Sequence, residues 1–411
     1  MSEQQATTSQ PPASFIEEAK GALLDIRTSL NALVAAVGAD PSQPQDMARR
    51  FSLDKTLTWK IARIVCGEDT WSAASHIPGR AGLRTFIDAL EKAGAPVERA
   101  DSVRGAMDRL DALIERHSGD RDTFEIMLGG VSDQMARKQG EAFRKMAYMG
   151  NSAIWGVQAR AQLSMHFMSP CRKDSDMLDY AVVCGLVDFR RLRQDVPWAV
   201  ASRMSYTDAG ATREEPLVAP MDAALGDADI PLLRDFCTDP LPPMRAIPAA
   251  NKTTRYELSE GPVGNTAAAT CVLGWILPAT AIRFRTPDDQ YGESTTNLNT
   301  PVETLYHDVY LHRDLGLSLP PKLMVYSRMP GGPTYPYDGS YGQLPITEDI
   351  IDLGTPPETL VPGIPQYGDL VNAATQRLGW PTREFHGFRF RLRYPPVPSL
   401  ALFRFELPEK A

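Results

Sequence analysis

The spacing of apolar residues changes once along this chain, close to Asn151. Before that point apolar residues recur every three or four positions, which is the spacing of amphipathic helices. From Trp155 to Phe167 apolar and polar residues alternate, as they do in a strand with one buried face. The sequence therefore predicts helices in its first part and a β-rich region in its longer second part.

Chain length supports a division into two domains. The chain has 411 residues, and a single hydrophobic core usually stops growing at roughly 250 to 300 residues. Strands that follow one another without intervening helices favour antiparallel pairing. We expect an α+β protein with a disordered tail at residues 1–13, an all-helical domain at residues 14–150 and a mostly antiparallel β-rich domain at residues 151–411.

Local signals place individual elements. Ser14, followed three residues later by Glu17, is a capping box that begins the first helix, and Gly38 ends it. The β-rich domain is expected to contain one minor helix, at 367–378. Strands are expected at 153–168, 181–189, 199–206, 253–258, 268–277, 304–312, 322–328, 385–394 and 400–407.

Composition limits the class of protein. The formal net charge of -8 excludes a polycation that binds nucleic acid by charge alone, so any DNA contact must be local. The five cysteines are odd in number and form no C-x-x-C pair, which argues against a disulfide framework and a structural zinc site. Such cysteine usage fits a reducing compartment.

The ends and the most apolar segment of the chain bear on its location. Residues 1–14 are polar and lack a basic start followed by an apolar run, so we expect no secretory signal and a cytoplasmic location. The segment 267–282 is shorter than the roughly 20 apolar residues that cross a membrane. A buried strand or hairpin is its expected structure, and no membrane partner is expected.

A basic segment interrupts the acidic composition at residues 47–66, which read MARRFSLDKTLTWKIARIVC. Between Arg49 and Arg63 it has five positive residues and one negative residue, Asp54, which gives a local charge of +4. The positive residues are Arg49, Arg50, Lys55, Lys60 and Arg63. A local basic patch is what neutralisation of DNA phosphates requires.

This segment resembles the helix-turn-helix of bacterial transcription regulators, and the resemblance covers residues 47–66 only. It implies that Ala48 lies where the two helices cross, that Leu53 fills the turn and that Asp54 caps the second helix. Two positions depart from the family pattern. Ser52 stands where glycine usually makes the turn, and Thr58 stands where a branched apolar residue is usual.

The resemblance also implies how the second helix is oriented. Leu57, Ile61 and Ile64 would face the core, and the opposite side would meet double-stranded DNA. Regulators of this kind commonly bind paired half-sites as dimers, which implies a homodimer. The alternative is a basic hairpin in an ordinary helical domain, with Trp59 buried. The implied DNA-binding residues are Arg49, Arg50, Lys55, Thr56, Trp59, Lys60 and Arg63.

A second basic feature is the segment FRFRLRY at residues 388–394. Strand alternation places Arg389, Arg391 and Arg393 on one face, where three guanidinium groups could hold an anionic ligand. The same pattern also occurs on strand faces that are solvated or paired with acidic neighbours. Both interpretations of these three arginines remain open.

Metal-type ligands are densest at residues 307–314. Alternation along a strand puts His307 and His312 on opposite faces, and Asp308 lies about 13 Å from His312 at roughly 3.3 Å per residue. We therefore expect no metal site. The chain has no G-x-S-x-G, H-E-x-x-H or dinucleotide-binding motif, so no cofactor is expected and no motif supports an enzyme.

These observations favour a DNA-binding transcription regulator. The helical domain would contact DNA, and the β-rich domain would sense an unknown small-molecule effector or build a homo-oligomer. The alternative is a non-enzymatic assembly protein that self-associates through its β-rich domain.

Overall fold

A computed structural model describes residues 14–67, 70–129, 133–204, 219–222, 230–249, 253–328 and 342–410. Two units, residues 1–140 and 141–411, make up the chain. The first is helical and the second is dominated by strands, which confirms the α+β class. The predicted tail, residues 1–13, lies outside the described residues.

The described residues form eight α-helices, of which seven precede residue 156. They are α1 (Phe15–Ala36), α2 (Pro44–Phe51), α3 (Lys55–Cys66), α4 (Arg80–Lys92), α5 (Val97–His117), α6 (Arg121–Gly129), α7 (Asp133–Trp155) and α8 (Tyr367–Arg377).

The first helix forms as its sequence predicts. Ser14 Oγ accepts a hydrogen bond from the Glu17 backbone N–H, and the Glu17 carboxylate accepts one from the Ser14 N–H. Leu23, Ile26 and Leu30 are buried at helical spacing in the core of the first unit. The capping box and the apolar stripe therefore define both the start of α1 and the face that it buries.

Thirteen strands are described. They are β1 (Val157–Pro170), β2 (Met177–Arg191), β3 (Trp198–Met204), β4 (Ala219–Pro220), β5 (Met244–Ala249), β6 (Thr253–Leu258), β7 (Ala269–Ile282), β8 (Tyr291–Leu298), β9 (Val302–His312), β10 (Lys322–Ser327), β11 (Ile351–Gly354), β12 (Phe385–Arg393) and β13 (Ser399–Glu406).

Three sheets are built from these strands. The largest has the order β11-β12-β9-β1-β2-β7-β4, and the smaller ones have the orders β10-β13-β8 and β3-β6-β5. Strand β1 pairs in parallel with β9, whereas the other pairs are antiparallel. The predicted, mostly antiparallel arrangement is confirmed.

The large sheet is covered on both faces. On one face, Tyr367, Leu370 and Val371 of α8 pack against β1, β2 and β9. On the other face, β13 contributes Phe403 and Phe405 to a second apolar cluster. Strand β9 therefore lies in the interior of the second unit, and nearly all of its residues are buried.

Several sequence expectations differ from the structure, and β4, β5 and β11 form where no strand was expected. The strand expected at 153–168 begins only at Val157, because α7 continues through Trp155 and Gly156 breaks the helix with φ 73°. Strand β8 was not expected, because its sequence YGESTTNL is polar and contains glycine. Its backbone pairs with β13, which supplies the apolar partners that the pattern of β8 lacks.

Other expectations match the structure. Residues 269–282 of the apolar segment 267–282 form β7, and β6 spans the residues predicted for it. Residues 205 and 206 of the strand expected at 199–206 lie outside the described residues. Across the described ranges, no helix has both the length and the apolar character needed to cross a membrane.

Two histidines pack together inside the second unit. The rings of His166 and His307 lie 5.3 Å apart, and both nitrogens of His307 lie 3.3 Å from backbone carbonyl oxygens, those of Ser164 and Ser294. Burial, together with the neighbouring His307, lowers the pKa of His166 to about 3, and burial also lowers the pKa of His307. Both rings are therefore neutral in the folded protein at neutral pH.

This pair predicts acid sensitivity of the second unit. The unfolded chain binds a proton at His166 near its ordinary pKa of 6.5, whereas the folded protein does so only near 3. The contribution of the neutral His166 ring to the free energy of unfolding is therefore complete above pH 6.5. It is lost as the pH falls towards 3, by at most about 1.4 kcal/mol per pH unit for this one group. Urea unfolding followed against pH should show a weaker pH dependence for His166→Gln than for the wild type. Equal dependence in both proteins would contradict this assignment.

Candidate functional site

The basic segment forms a helical hairpin, here residues 44–66, in which a short turn joins α2 to α3. Ser52 adopts a left-handed conformation at φ 55° and ψ 43°, and the Leu53 N–H donates to the Ala48 carbonyl at 3.0 Å. Glycine adopts this conformation without steric cost, whereas serine is strained by about 1 kcal/mol. The serine at this position therefore makes the same turn as the expected glycine.

Asp54 caps α3 as predicted. Its carboxylate accepts hydrogen bonds from the backbone N–H groups of Thr56 at 2.8 Å and Leu57 at 3.1 Å. These bonds lower the pKa of the Asp54 carboxyl group, with the bond from Leu57 contributing most. The carboxylate stays charged at the N-terminus of α3, where the helix dipole favours a negative group.

The apolar side of α3 packs into the first unit. Ile61 and Ile64 are fully buried and Leu57 is half-buried. Thr58 is also fully buried, and its hydroxyl donates to the backbone carbonyl of Lys55 at 3.1 Å. A buried threonine whose hydroxyl is bonded within its own helix fills the space that a branched apolar residue would fill.

The opposite side of α3 faces away from this core. Trp59 is 44% exposed, which differs from the alternative in which it is buried. The Arg63 guanidinium lies 5.5 Å from the centre of the Trp59 ring. The His76 ring packs edge-on against the Trp59 ring, and the two ring centres are 5.2 Å apart. Lys60 is half-buried, and the other side chains are exposed. We call this surface the α3 face: Lys55, Thr56, Trp59, Lys60 and Arg63.

The two arginines of α2 have different surroundings. The Arg49 side chain is 75% exposed and pairs with Asp46 at 2.5 Å. The exposed Arg50 donates to the carbonyl oxygens of Val37 at 2.7 Å and Gly38 at 3.0 Å, at the end of α1. Arg50 therefore caps a helix twelve residues earlier in the chain. No local sequence signal identifies this role.

The three arginines of β12 have different surroundings, because Arg389 is buried whereas Arg391 and Arg393 are exposed. Arg389 lies opposite Asp308 of β9, and the pair is buried, with Arg389 Nη2 donating to Asp308 Oδ2 at 2.8 Å and Nε to Oδ1 at 3.0 Å. The hydroxyls of Tyr310 and Tyr367 donate to the same carboxylate at 2.9 and 2.5 Å. Arg389 Nη1 donates to the Leu360 carbonyl.

The structure does not bring the three arginines to one anion site. All three guanidinium nitrogens of Arg389 donate hydrogen bonds to groups of the second unit, and this residue therefore stabilises the fold. The expectation of an anion site shared by the three arginines is not supported. Arg391 is exposed, and Arg393 pairs with Glu141 at 3.3 Å. The buried partner was missed because cross-strand register depends on long-range pairing.

The second unit also contains a cavity of about 570 Å³ beside β10, β11 and β12. Its lining is partly apolar, with Leu323, Val325 and Phe388, and partly acidic, with Glu348 and Asp352. This combination of an apolar wall and a few polar groups is typical of small-molecule sites. Across the described residues, no group of three His, Cys, Asp or Glu side chains could hold a metal ion.

No protein-family model matches this sequence, and no curated protein sequence matches it. What the helical hairpin does must therefore be inferred from its own surface.

The left-handed turn predicts a stabilising substitution. Ser52→Gly removes the steric strain at φ 55°, so the free energy of unfolding of the first unit should rise by up to about 1 kcal/mol. The matched control is Ser102→Gly in the exposed surface of α5, where glycine weakens a helix by about 0.5 kcal/mol. Thermal unfolding of both variants should give shifts of opposite sign. A loss of stability in Ser52→Gly would contradict the assigned turn.

The buried ion pair predicts a large difference between two arginines on one strand. Arg389→Met leaves Asp308 buried without its cation and should destabilise the second unit by about 3 to 5 kcal/mol. Arg391→Met makes the same change two residues later on an exposed side chain and should cost no more than about 0.5 kcal/mol. Denaturant unfolding measures both, and similar values would contradict the distinction.

Proposed function

We propose that this chain is a cytoplasmic DNA-binding transcription regulator that contacts double-stranded DNA through the α3 face. The observation that carries the proposal is the division of α3 into two sides. Its apolar residues are buried in the first unit, while Lys55 and Arg63 stand exposed beside a partly exposed tryptophan. A helix with a fixed inner side and a basic outer side is suited to a DNA groove.

Charge supports this proposal. The chain carries a formal net charge of -8, yet Arg49 to Arg63 carries five positive residues and one negative residue. The negative residue, Asp54, is bound by two backbone N–H groups at the start of α3. A duplex presents dense negative charge, so this is the part of the helical unit best suited to phosphate contacts.

Individual roles follow from position. Arg49, exposed on α2, would hold a backbone phosphate and fix the orientation of the hairpin. Lys60 and Arg63 would reach base edges, where such donors pair with guanine, and Thr56 and Trp59 would supply further contacts. Arg50 would add positive charge, but its donors to the end of α1 make it chiefly a support for α2.

The second unit would then regulate the first. We propose that a small-molecule effector occupies the cavity beside β10, β11 and β12, whose lining includes apolar side chains and the acidic side chains of Glu348 and Asp352. A homodimer would place two α3 faces on paired half-sites. Binding of an effector to one state of the dimer would change its affinity for DNA.

An assembly protein is the second candidate. It is favoured by exposed apolar side chains on the part of α7 that belongs to the second unit: Phe143, Met146, Met149 and Ile154 are between 38% and 69% exposed. Exposed apolar groups at helical spacing favour contact with another protein surface. This candidate predicts oligomers whose size does not depend on DNA.

The test of DNA binding uses variants matched in charge. Lys60→Ala with Arg63→Ala removes two positive charges from the α3 face, and Lys20→Ala with Arg99→Ala removes two from exposed positions on α1 and α5. Binding to a labelled duplex is measured by fluorescence anisotropy over a series of salt concentrations. The first variant should bind at least about 10-fold more weakly, with a salt dependence reduced by about two counterions.

The control variant should bind as the wild type does, because it has the same net charge as the first variant but an intact α3 face. Circular dichroism checks that both variants keep the helical fold. Equal loss of affinity in the two variants would show attraction by overall charge and would overturn the α3 face as the contact surface. No binding of the wild type at low salt would leave the assembly protein as the better candidate.

A further inference from the structure

The part of α7 that belongs to the second unit, residues 141–155, has one side held against that unit. Arg144 Nε donates to the Arg393 carbonyl at 3.1 Å. Tyr148 is buried, and the centre of its ring lies 5.3 Å from that of the Tyr394 ring. This side of the helix therefore has its partners within the second unit.

The opposite side of the same segment is apolar and exposed. It has four large apolar side chains, each between 38% and 69% exposed, and four small residues that are also exposed. We call this surface the α7 face. Its large residues are Phe143, Met146, Met149 and Ile154. Its small residues are Ala142, Ala147, Gly150 and Ala153.

The charged residues of this segment contact other parts of the second unit. Glu141 pairs with Arg393 at 3.3 Å, and Arg144 lies on the side that is held against the unit. The Lys145 ammonium group lies 5.8 Å from the centre of the Tyr394 ring. The α7 face is thus left without a charged residue, which is typical of the centre of a protein–protein interface.

The area of the α7 face is sufficient for a contact between two copies of the chain. Its large and small residues together present roughly 500 Å² of apolar surface, so two copies would cover about 1,000 Å² in total. Specific interfaces between proteins begin at about this size. An interface near this lower limit should give a dimer that dissociates on dilution.

The order of large and small residues suits two antiparallel helices. In a pair related by a twofold axis level with Tyr148, each residue lies level with the residue that is equally far from Tyr148 on its other side in the second copy. Met146 is two residues before Tyr148, and Gly150 is two residues after it. The Met146 side chain of each copy would therefore meet the glycine of the other.

The remaining pairs also combine one large and one small residue. They are Phe143 with Ala153, Ala147 with Met149, and Ala142 with Ile154. Large side chains opposite small ones fill the space between two helices without overlap. In a parallel pair each residue would instead lie level with its own copy, and large side chains would meet large ones. The sequence of the α7 face is therefore complementary to itself in the antiparallel arrangement.

We propose that the α7 face binds the α7 face of a second copy of this chain, with the two helices antiparallel. Both copies use the same surface, so the contact closes at two copies and gives a dimer. This interface specifies the homodimer of the proposed function. It rests on the residues of α7 alone, however, and forms whether or not the α3 face binds DNA.

The first test measures the mass of the full chain without DNA by sedimentation equilibrium over a series of concentrations. The wild type should approach twice the 45.2 kDa of one chain. Met146→Glu places a charge at the centre of the interface and should raise the dissociation constant of the dimer at least about 10-fold. The matched control is Leu360→Glu, which adds the same charge at an apolar side chain 73% exposed in the same unit and should leave the constant unchanged.

The second test fills the space at Gly150. A Cβ atom added there has no neighbour within 4 Å in a single copy, and leucine favours a helix more than glycine does. Gly150→Leu should therefore keep the fold but overfill the interface, raising the dissociation constant at least about 10-fold. Adding Met146→Ala exchanges the large and the small residue and should restore most of the affinity. A variant that was only misfolded would not be restored in this way.

Cross-linking tests the direction of the helices. Chains with Ala142→Cys are mixed with chains with Ile154→Cys, both in a Cys66→Ser background that removes an exposed thiol. The two positions are about 18 Å apart along one helix. A short bismaleimide should therefore join the two different chains in an antiparallel dimer. In a parallel dimer it would join each chain to its own kind.

Four results would overturn the proposal. They are a wild type with the mass of one chain at every concentration, equal effects of Met146→Glu and Leu360→Glu, no restoration by Met146→Ala, and cross-links only between identical chains. These measurements contain no DNA. A failure of the α7 interface is therefore distinguishable from a failure of DNA binding by the α3 face, which the anisotropy measurement detects.

Discussion

The ion pair between Asp308 and Arg389 is the constraint on which the second unit depends. It joins β9 to β12 in the covered interior of the large sheet, and the Tyr367 hydroxyl ties the start of α8 to the same carboxylate. A charge pair that is this deeply buried is stable only when its hydrogen bonds are complete, and here both tyrosine hydroxyls and all three guanidinium nitrogens take part. The pair therefore fixes the register of β12 and the position of α8 together.

The first unit is organised by a smaller set of contacts. The Asp54 cap begins α3, the left-handed Ser52 sets its direction relative to α2, and Arg50 holds α2 against the end of α1. These contacts place Ile61 and Ile64 inside, so the basic side of the same helix is left outside. The surface proposed to contact DNA is thus exposed as a consequence of how α3 packs, and no additional structural element is needed to expose it.

Local sequence signals predicted part of this structure well. The Ser14 capping box, the Asp54 cap and the apolar spacing of α8 each depend on residues close in the chain, and the structure has all three. Partners distant in sequence were not predictable: Asp308 pairs with a residue 81 positions later, and Cys237 bonds to Val272, 35 positions later, only because two segments pair at an edge of β7. Register of this kind is decided by the whole sheet, so no short pattern carries it.

Recovery of bound DNA sequences tests whether the α3 face recognises DNA. Wild-type protein and the Lys60→Ala, Arg63→Ala double variant are incubated with sheared genomic DNA from the organism that encodes the chain, and the retained fragments are sequenced. If the α3 face contacts DNA, a few palindromic sites should be enriched by the wild type and not by the variant. Absence of any enrichment at low salt, or the same sites with both proteins, would contradict it.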